Sequence, residues 1–566
     1  MTFPSRTLLL AAAFALASPA PRLEAASHSP VRAKNGMVVS GDSLASAAGV
    51  EILRRGGNAV DAAVAVGFVL AVTYPEAGNI GGGGFMLIRM SGGESTMIDF
   101  REKAPAAAAR DMYLDAGGRP VPGKSLLGPL ASGVPGTVDG LLTALREYGS
   151  LTREEVIGPA LKLAQGGFAV SGSLARTIAE EIPRFSLFPA TMKAFTRNGK
   201  PYRWGDTLRQ GDLAATLRAI IDRGAEGFYA GDVASRIVAE MRRDGGIMTA
   251  GDLHDYASVE RDPLRGTYRG YEILTAPPPS SGGIILLQIL NSMERFDCRR
   301  MGWNSSASVH LFASACQRAF ADRAAYLGDP DFVAVPVEGL IAKSYAARRI
   351  ADFDSARAQR STRIGSGVPE DGSHQTTHYC VADRFGNVVS VTITLNGLFG
   401  CKAVVDGAGF FLNNEMDDFT AKPGALNMYS LVGGVSNEIA GGKRMLSSMA
   451  PTIVVRDNRP FMVLGARGGS RIPTSIAQII CNVIDYGMTI QEAVDAPRVH
   501  HQWIPDTLLF ERRALQADVV RNLVSMGYVL QEVEATARAQ ALMIDSGGGW
   551  YLGGADPRDD GYAIGY

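Results

Sequence analysis

The sequence predicts an α+β protein, because its first part carries helix signals and its last part carries strand patterns. Capping residues open helical segments from residue 42 to about residue 350, and short apolar segments predict strands from residue 378 onwards. Between the two parts lies a polar stretch, residues 354–375, which is rich in Ser, Arg, Gly and Asp. We expect this stretch to be an exposed linker or a mobile loop.

Helix starts can be read from single residues. Asp42 precedes a helix that ends at a glycine pair, and Asn58 caps the apolar helix that follows. Thr152 opens a capping box with Glu155. Further helices are predicted at 137–148, 153–165, 282–296, 306–327 and 338–352.

Strands are predicted at 85–90, 98–101, 378–382, 388–395, 409–412, 453–455 and 462–464. Two of them, in TTHYCVAD and NVVSVTITLN, flank a three-residue loop that ends in glycine and should form a hairpin. If Asp383 opposes Asn387, then Thr376 opposes Thr394, and opposed residues have Cβ atoms about 4.5–5.5 Å apart. Thr394 shares the polar face of its strand with Thr392. The hairpin alone also fits a Thr-rich surface strand without chemistry.

The composition excludes several classes of protein. Among the 566 residues, 56 Lys and Arg stand against 57 Asp and Glu, so the net charge of −1 gives no reason to expect nucleic acid as a partner. Hydrophobic residues make up 46% and charged residues 20%, which supplies a large core and argues against general disorder. Length alone suggests roughly three or four domains.

Residues 1–20 have the three-part pattern of a secretory signal peptide. An arginine precedes an apolar run, and Ala-Leu-Ala at 15–17 offers a cleavage site. We therefore expect a periplasmic or secreted protein. No later segment has the roughly 18–20 apolar residues of a membrane span, and the longest, 59–74, contains Asp61 and fits a buried helix.

The sequence offers little for metals, disulfides or nucleotides. The five cysteines are sparse and form no CxxC pair, so neither a zinc ribbon nor a disulfide framework is indicated, and a single disulfide is left open. The glycines at 81–84 precede no GK[ST], and no G-x-S-x-G elbow occurs. His374 and His378 belong to no HExxH motif, and His500 and His501 should pack near the surface. We expect no metal and no cofactor.

Residues 375–379, QTTHY, and the following strand that ends in Asn396 resemble the processing site of the γ-glutamyltransferase family, a group of N-terminal nucleophile hydrolases. Further similar motifs are GGNAVDAAVA, GNIGGGGFM, IDFRE, ASGVPGTVDGL, APPPSSGG, LNNEMDDF, KPG, LVGG, LSSMAPTIV, GGSRI and DPR. Their number and order along nearly the whole chain argue against coincidence. The resemblance implies a four-layer αββα sandwich, built as one large domain.

The resemblance implies that the precursor cuts itself between Gln375 and Thr376. The products would be a large subunit, 21–375, and a small subunit, 376–566, that pair with each other. The freed α-amino group of Thr376 would act as the base for its own hydroxyl, the nucleophile. Thr394, opposite Thr376 in the expected register, would orient that hydroxyl.

The resemblance also assigns residues to the α-carboxylate of the substrate and to the oxyanion that forms at the attacked carbonyl. Arg101, with Ser447 and Ser448, is assigned to the α-carboxylate of a γ-glutamyl group. Gly468 and Gly469 are assigned to the oxyanion, since residues without a Cβ let backbone N–H donors come close. Read without the family, the serines fit a turn and the glycines fit an ordinary loop.

The α-ammonium of the substrate calls for carboxylates, and the matching positions are Glu415 and Asp418, with the amide of Asn396. Tyr429 matches a position that forms part of a lid in some relatives. Without the family, Asp417 and Asp418 would fit a solvated pair or a calcium cluster.

Three departures from the family pattern stand near these residues. They are Cys401-Lys402, the ARAQALM run at 537–543, and Arg467, which stands where proline is common. Arg467 either adds positive charge beside the oxyanion site or points to solvent. The departures leave the preferred acceptor open.

Together these features predict an exported enzyme that cleaves glutathione and related γ-glutamyl amides, and passes the acyl group to water or to amino acid or peptide acceptors. The nearest alternative is a cephalosporin acylase of the same superfamily, whose glutaryl substrate lacks the ammonium. Asp418 favours the glutamyl substrate, because a buried carboxylate without a cationic partner is costly. A second alternative is a periplasmic binding protein of the same fold that has lost processing.

Overall fold

Two seven-stranded antiparallel sheets form the centre of the molecule, which a computed structural model describes over residues 27–369, 379–545 and 547–566. The strand order in sheet I is Val31–Ala33, Trp550–Ala555, Arg538–Asp545, Arg459–Arg467, Thr452–Arg456, Tyr271–Thr275 and Leu264–Tyr268. The strand order in sheet II is Tyr562–Gly565, Gly36–Ser40, Cys380–Asp383, Val388–Thr394, Gly83–Arg89, Ser95–Phe100 and Val259–Arg261. Each sheet takes strands from both parts of the sequence, so the two parts build one fold.

Helices cover the outer face of each sheet. On the side of sheet II lie Ser43–Arg54, Ala59–Thr73, Thr137–Tyr148, Arg153–Gly166, Gly172–Phe185, Pro189–Phe195, Gly211–Arg223, Glu226–Tyr229, Gly231–Arg243 and Ala250–His254. On the side of sheet I lie Gly282–Met293, Cys298–Met301, Ser306–Tyr326, Val337–Ile341, Lys343–Arg349, Ile472–Ile484, Ile490–Asp495 and Ala517–Met526. Smaller strands pair at Phe168–Ala169 with Thr207–Leu208, at Thr196–Arg197 with Lys200–Pro201, and among Val499–His500, Leu508–Glu511 and Leu530–Val533.

The strand Gly83–Arg89 shows how the layers are separated. Its Met86 and Ile88 pack in the core beneath the helices, whereas Phe85 and Leu87 belong to the core shared with sheet I. This alternation follows from the two-residue period of a strand that is buried on both faces. The layer order is helix, sheet, sheet, helix, and the predicted αββα sandwich is confirmed.

Local signals predicted most helix starts correctly. The Asp42 side chain accepts from the Ala45 N–H at 3.0 Å, and Asn58 and Thr152 both close capping boxes. The prediction of one helix at 338–352 was wrong, because the chain is extended at Ala342, between Val337–Ile341 and Lys343–Arg349. The carbonyl of Ile341 there accepts a hydrogen bond from Asn291 instead of continuing the helix.

The prediction of a strand at 409–412 was also wrong. Gly409 has a φ of +80°, which a strand does not allow, and the segment carries only one isolated bridge, from Phe411 to Val404. The Phe411 ring packs 4.7 Å from the ring of Phe195. Burial of this aromatic side chain and backbone hydrogen bonds to residues 401–405, such as Leu412 N–H to the carbonyl of Ala403 at 3.0 Å, hold the segment without a regular strand.

The polar stretch is not a free linker over its described part. Ser361 and Ile364 are buried, and the indole of Trp503 donates to both of their carbonyls at 2.9 Å. The Ser361 hydroxyl donates to Asp506 at 2.7 Å. Most of residues 354–363 are exposed, as expected, but Ser361 and Ile364 anchor the segment to Trp503 and Asp506, so this part is not free.

The hairpin has the predicted register. Cys380 pairs with Ser390, and Ala382 pairs with Val388, as the pairing of Asp383 with Asn387 requires. Ser390 and Thr392 are buried on the face towards sheet I, so the alternative of a surface strand is wrong. The predicted signal peptide and the predicted Gln375–Thr376 cut lie outside the described residues.

Two further expectations concern helices and cysteines. Within the described ranges, every helix falls short of the length and apolarity that a membrane crossing requires. The apolar helix Ala59–Thr73 is fully buried, as its sequence predicted. All five cysteines lie in the described part, are buried, and form no disulfide there.

Candidate active site

A cavity of about 300 Å³ lies where three strands end, namely Ser95–Phe100, Val388–Thr394 and Arg459–Arg467. It brings together every predicted site residue that the structure describes: Arg101, Thr394, Asn396, Glu415, Asp418, Tyr429, Ser447, Ser448, Gly468 and Gly469. These residues are spread over almost 370 positions of the chain. The fold therefore assembles the set that the sequence motifs indicated.

Arg101 is buried among three carboxylates. Its Nη1 lies 2.7 Å from Glu415 Oε2 and 3.4 Å from Glu102 Oε2, and its Nη2 lies 2.6 Å from Asp418 Oδ2. Its Nε donates to the carbonyl of Met445 at 3.2 Å. We call Arg101, Glu102, Glu415 and Asp418 the inner cluster.

The inner cluster corrects one premise of the sequence argument. We expected Asp418 to lack a cationic partner, but it is paired with Arg101 in this structure. Sequence reasoning also gave no role to Glu102, although it follows Arg101 directly in the IDFRE motif. The cluster nevertheless holds three acids against one arginine, so an acidic surplus remains.

Burial changes the acidity of the cluster. Desolvation raises the pKa of Glu102 to about 7, that of Glu415 to about 8 and that of Asp418 to about 7, although the charge of Arg101 opposes each shift. The acids also raise one another's pKa, because like charges lie close together. The cluster therefore holds protons near neutral pH that an incoming cation can displace.

Arg323 is a neighbour that sequence reasoning missed. It is buried, its Nε donates to Ser281 Oγ at 3.2 Å, and its Nη1 donates to the carbonyl of Val432 at 3.3 Å. Burial lowers its pKa to about 10, and the charge of Asp418 partly opposes this shift. No motif marked it, since it lies in the last turn of the helix Ser306–Tyr326, away from the motifs named above.

The serine pair is held by a close approach of two loops. The Ser447 N–H donates to the carbonyl of Pro279 at 2.7 Å, and the Ser281 hydroxyl donates to the carbonyl of Ser447 at 2.7 Å. A Cβ on Gly282 would lie 2.4 Å from the carbonyl oxygen of Met449. The two motifs APPPSSGG and LSSMAPTIV thus pack against each other, and they place Ser447 and Ser448 beside the cavity.

The end of the central strand is fixed by its own polar groups. The Asn396 N–H donates to Thr394 Oγ1 at 2.7 Å, and the Asn396 amide donates to the carbonyl of Asn414 at 3.1 Å. Asn396 has a φ of +68°. The glycines at 81–84 pack tightly here, since a Cβ at Gly82 would lie 2.0 Å from the carbonyl oxygen of Thr394.

Gly468 and Gly469 stand before the helix Ile472–Ile484, with φ of +144° and +58°. The N–H groups at a helix start carry partial positive charge, which suits a developing oxyanion. The ring of Tyr429 lies over Gly469, where a Cβ would come within 2.4 Å of it, and the Tyr429 hydroxyl donates to the carbonyl of Asn396 at 2.8 Å. Tyr429 therefore bridges two walls of the cavity, the position that a lid would take.

Arg467 does not point to solvent. Its Nε and Nη2 lie 3.0 and 2.9 Å from the carboxylate of Asp559, and Nη2 lies 3.5 Å from Glu76. Its guanidinium also stacks 5.1 Å from the ring of Tyr74. Of the two roles that the sequence left open, the solvent-facing one is wrong.

A second departure, Cys401-Lys402, lies away from the cavity, whereas Arg538 of the third, the ARAQALM run, lines it. Cys401 is buried and accepts a weak hydrogen bond from the Ser132 hydroxyl at 3.7 Å, and Lys402 Nζ lies 3.5 Å from Glu181. Neither residue lines the cavity.

The paired aspartates and histidines are also buried. Asp417 is buried and accepts from the Ser125 hydroxyl at 2.6 Å, so the solvated pair is excluded. Among the described residues no group of three or more His, Cys, Asp or Glu could hold a metal ion. His500 and His501 are fully buried, not near the surface, and burial lowers the pKa of His500 to about 3.

The layer order and the site at the strand ends define the class of the protein, an N-terminal nucleophile hydrolase. Residues 45–566 match the family model described as Gamma-glutamyltranspeptidase. The chain is 48% identical over 544 residues to a glutathione hydrolase proenzyme from Escherichia coli, covering 95% of this chain and 93% of the relative. The chain belongs to the γ-glutamyltranspeptidase family.

Two solved structures agree with this assignment. A cephalosporin acylase from Bacillus halodurans superposes with a TM-score of 0.85 at 27% identity, covering 97% of this chain and 99% of the acylase. A chain of the Helicobacter pylori gamma-glutamyltranspeptidase superposes with a TM-score of 0.59 at 46% identity, covering 59% of this chain and 96% of that one. The family is one of enzymes with transferase and hydrolase activity, which disfavours the binding-protein alternative.

Proposed function

We propose that this enzyme cleaves glutathione and related γ-glutamyl amides, and transfers the γ-glutamyl group to water or to the amine of an amino acid or peptide. The inner cluster is the observation that carries the proposal. A γ-glutamyl head presents one carboxylate and one ammonium, and the cluster offers one guanidinium and a surplus of carboxylates. Ser447 and Ser448 add hydroxyl donors for the substrate carboxylate.

The ammonium is the feature that separates this substrate from a glutaryl group. Binding an ammonium lets Glu415 and Asp418 lose their protons and form ion pairs, which returns part of the desolvation cost. A glutaryl group would bring a further negative charge without any cation. The acidic surplus thus supports the glutamyl substrate over the acylase alternative, although Asp418 is not unpaired.

Processing would create the nucleophile. The Thr376 hydroxyl oxygen attacks the carbonyl carbon of Gln375, the peptide C–N bond breaks, and the nitrogen takes the proton to become the α-amino group of Thr376. Water then hydrolyses the resulting ester, which frees the hydroxyl and leaves a carboxylate on Gln375. The observed hairpin register supports this step, because a strand continued in that register would set Thr376 opposite Thr394. The relatives named as proenzymes support it as well.

The acyl transfer follows the same chemistry. The Thr376 oxygen attacks the γ-carbonyl carbon while the α-amino group takes the hydroxyl proton, and the amide nitrogen leaves with that proton. Water or an amine then attacks the ester carbon, the C–O bond to Thr376 breaks, and the hydroxyl recovers a proton. Gly468 and Gly469 would donate N–H groups to the oxyanion in both steps.

We also propose that the chain is exported, that residues 1–20 are removed, and that the subunits 21–375 and 376–566 stay paired. Sheet II contains strands from both proposed subunits, and Gly36–Ser40 of the larger one lies between two strands of the smaller one, which supports a stable pair. The substrates and acceptors are small molecules, and nothing in the proposal calls for a cofactor.

Intact-mass measurement with N-terminal sequencing of the purified protein tests the proposal. We expect two chains, the smaller starting at Thr376, together with turnover of a γ-glutamyl anilide. Thr376→Ala should give one uncut, inactive chain, whereas the neighbouring change Thr377→Ala should still be cut. A cut that persists in Thr376→Ala would refute the autocatalytic mechanism.

A further inference from the structure

A second group of charges lies at the rim of the same cavity, next to the oxyanion glycines. Arg467 ends one strand of sheet I, and Arg538 begins the neighbouring strand directly opposite it. Both line the cavity, and Arg471 follows three residues after Gly468. Like charges that oppose each other across two strands destabilise a sheet unless an anion neutralises them.

The three arginines differ in their partners. Arg467 is neutralised by Asp559 and Glu76. Arg538 only donates through Nε to the carbonyl of Arg558 at 3.1 Å, and Arg471 only donates through Nη1 to the carbonyl of Ala535 at 3.3 Å. In the part of the chain that the structure describes, neither Arg538 nor Arg471 has a carboxylate within 4.0 Å.

The nearby carboxylates are already engaged. Asp559 holds Arg467 and accepts from the Tyr74 hydroxyl, while Glu511 pairs with Arg558 at 2.7 Å. Arg538 is half-buried and lines the cavity, and in the described part of the chain its guanidinium has no carboxylate partner.

We propose that Arg538, supported by Arg471, binds a carboxylate on the part of the substrate beyond the γ-glutamyl group. This part is the peptide that leaves when the acyl-enzyme forms, or the acceptor that then attacks the acyl-enzyme. The proposal rests on the proposed function. The γ-glutamyl head occupies the inner cluster, and the reacting carbonyl lies at Gly468 and Gly469. Arg538 lines the same cavity as these glycines, so its guanidinium is available to the remaining part of the substrate. A leaving dipeptide and an acceptor amino acid or peptide both carry a carboxylate in this part.

Acceptor kinetics test the proposal with Arg538→Gln. Transfer from a γ-glutamyl anilide is measured to glycylglycine and to glycylglycinamide, which lacks the carboxylate. We expect KM for glycylglycine to rise about tenfold, as loss of one charge-assisted hydrogen bond implies. KM for the amide and hydrolysis of the anilide should change less than about twofold, and Arg538→Lys should recover part of the loss.

Two controls separate the outcomes. Arg521→Gln, an exposed arginine on the helix Ala517–Met526, should leave both acceptors unchanged. A rise in KM for glutathione in Arg538→Gln would extend the site to the leaving peptide, whereas an unchanged value would restrict it to the acceptor. An equal effect on glycylglycine and its amide, or no effect on either, would overturn the proposal.

Failure of the proposed function gives a different result. If the wild-type protein turns over no γ-glutamyl anilide, the proposed function is wrong. The carboxylate site at Arg538 is then tested by ligand binding alone. Glycylglycine should then raise the melting temperature of the wild type but not that of Arg538→Gln, and glycylglycinamide should raise neither. An equal rise in the melting temperature of both proteins with glycylglycine would overturn the carboxylate site at Arg538.

Discussion

The inner cluster and the ion pairs of Arg467 with Asp559 and Glu76 are built from the same kinds of side chain, but they have different roles. Arg101 faces three acids whose pKa values burial raises to between about 7 and about 8, so its charges are unbalanced. Arg467 binds Asp559 through two nitrogens, with Glu76 and the Tyr74 ring at its flanks. The inner cluster, whose charges do not cancel, can bind a zwitterion. The ion pair of Arg467 with Asp559 instead joins a strand end to the C-terminal segment. A buried ion pair thus indicates a binding site only where its charges do not cancel.

Arg101→Gln should have the largest effect on activity. It removes the only guanidinium of the inner cluster, and with it two charge-assisted hydrogen bonds to the substrate carboxylate of about 2 kcal/mol each. We expect kcat/KM for a γ-glutamyl anilide to fall about 10³-fold, since about 4 kcal/mol corresponds to that factor. Arg101→Lys, which keeps the charge but loses the forked geometry, should recover part of it. Activity within tenfold of the wild type would remove Arg101 from the site.

Asp418→Asn should have the next largest effect, because it takes away one partner of the substrate ammonium. We expect kcat/KM for the γ-glutamyl anilide to fall about 10²-fold, as loss of a buried charged hydrogen bond of about 3 kcal/mol implies. Turnover of a glutaryl anilide should fall less, because that group has no ammonium. Equal losses on the two substrates would show that Asp418 only supports the fold.

Arg467→Gln should lower stability more than activity. It leaves Asp559 and Glu76 buried without their cation, and we expect the free energy of unfolding to fall by about 3 kcal/mol. The kcat/KM of the remaining folded enzyme for the anilide should change less than about fivefold. Denaturant unfolding and steady-state kinetics on the same preparation separate the two effects. A large loss of activity at unchanged stability would place Arg467 in the catalytic machinery.

The smallest effect is the pH dependence of the inner cluster. Folding raises the pKa of its acids, so their contribution to stability is present below about pH 4 and is lost as the pH rises through about 7 to 8. The melting temperature should therefore fall between pH 5.5 and pH 8.5, and less steeply in Asp418→Asn. Over the same range KM for the γ-glutamyl anilide should decrease a few-fold, because ionised carboxylates bind the ammonium. A KM that rises with pH would contradict this assignment.

Local features of the fold were predictable from the sequence because neighbouring residues determine them. The caps at Asp42, Asn58 and Thr152 need only the next three residues, and the hairpin register follows from its short loop. The break at Ala342 was not predictable, since the carbonyl of the preceding Ile341 is bonded by Asn291, which lies 50 positions away from it.

The candidate site was predictable as a set of residues but not as a set of contacts. Motifs identified Arg101, Glu415 and Asp418, yet the ion pairs among them join positions more than 300 residues apart. The partner of Arg467, Asp559, was missed for the same reason, since 92 residues separate them. Arg323 carried no signal, because an arginine inside a helix is ordinarily exposed.

The central claim is that the inner cluster selects a γ-glutamyl head through its ammonium. The most direct test is the ratio of kcat/KM for a γ-glutamyl anilide to that for a glutaryl anilide, measured with the processed wild-type enzyme near pH 8. We predict a ratio above about 10², because the ammonium adds about 3 kcal/mol of charged interaction. A ratio below one would contradict the account and support the acylase.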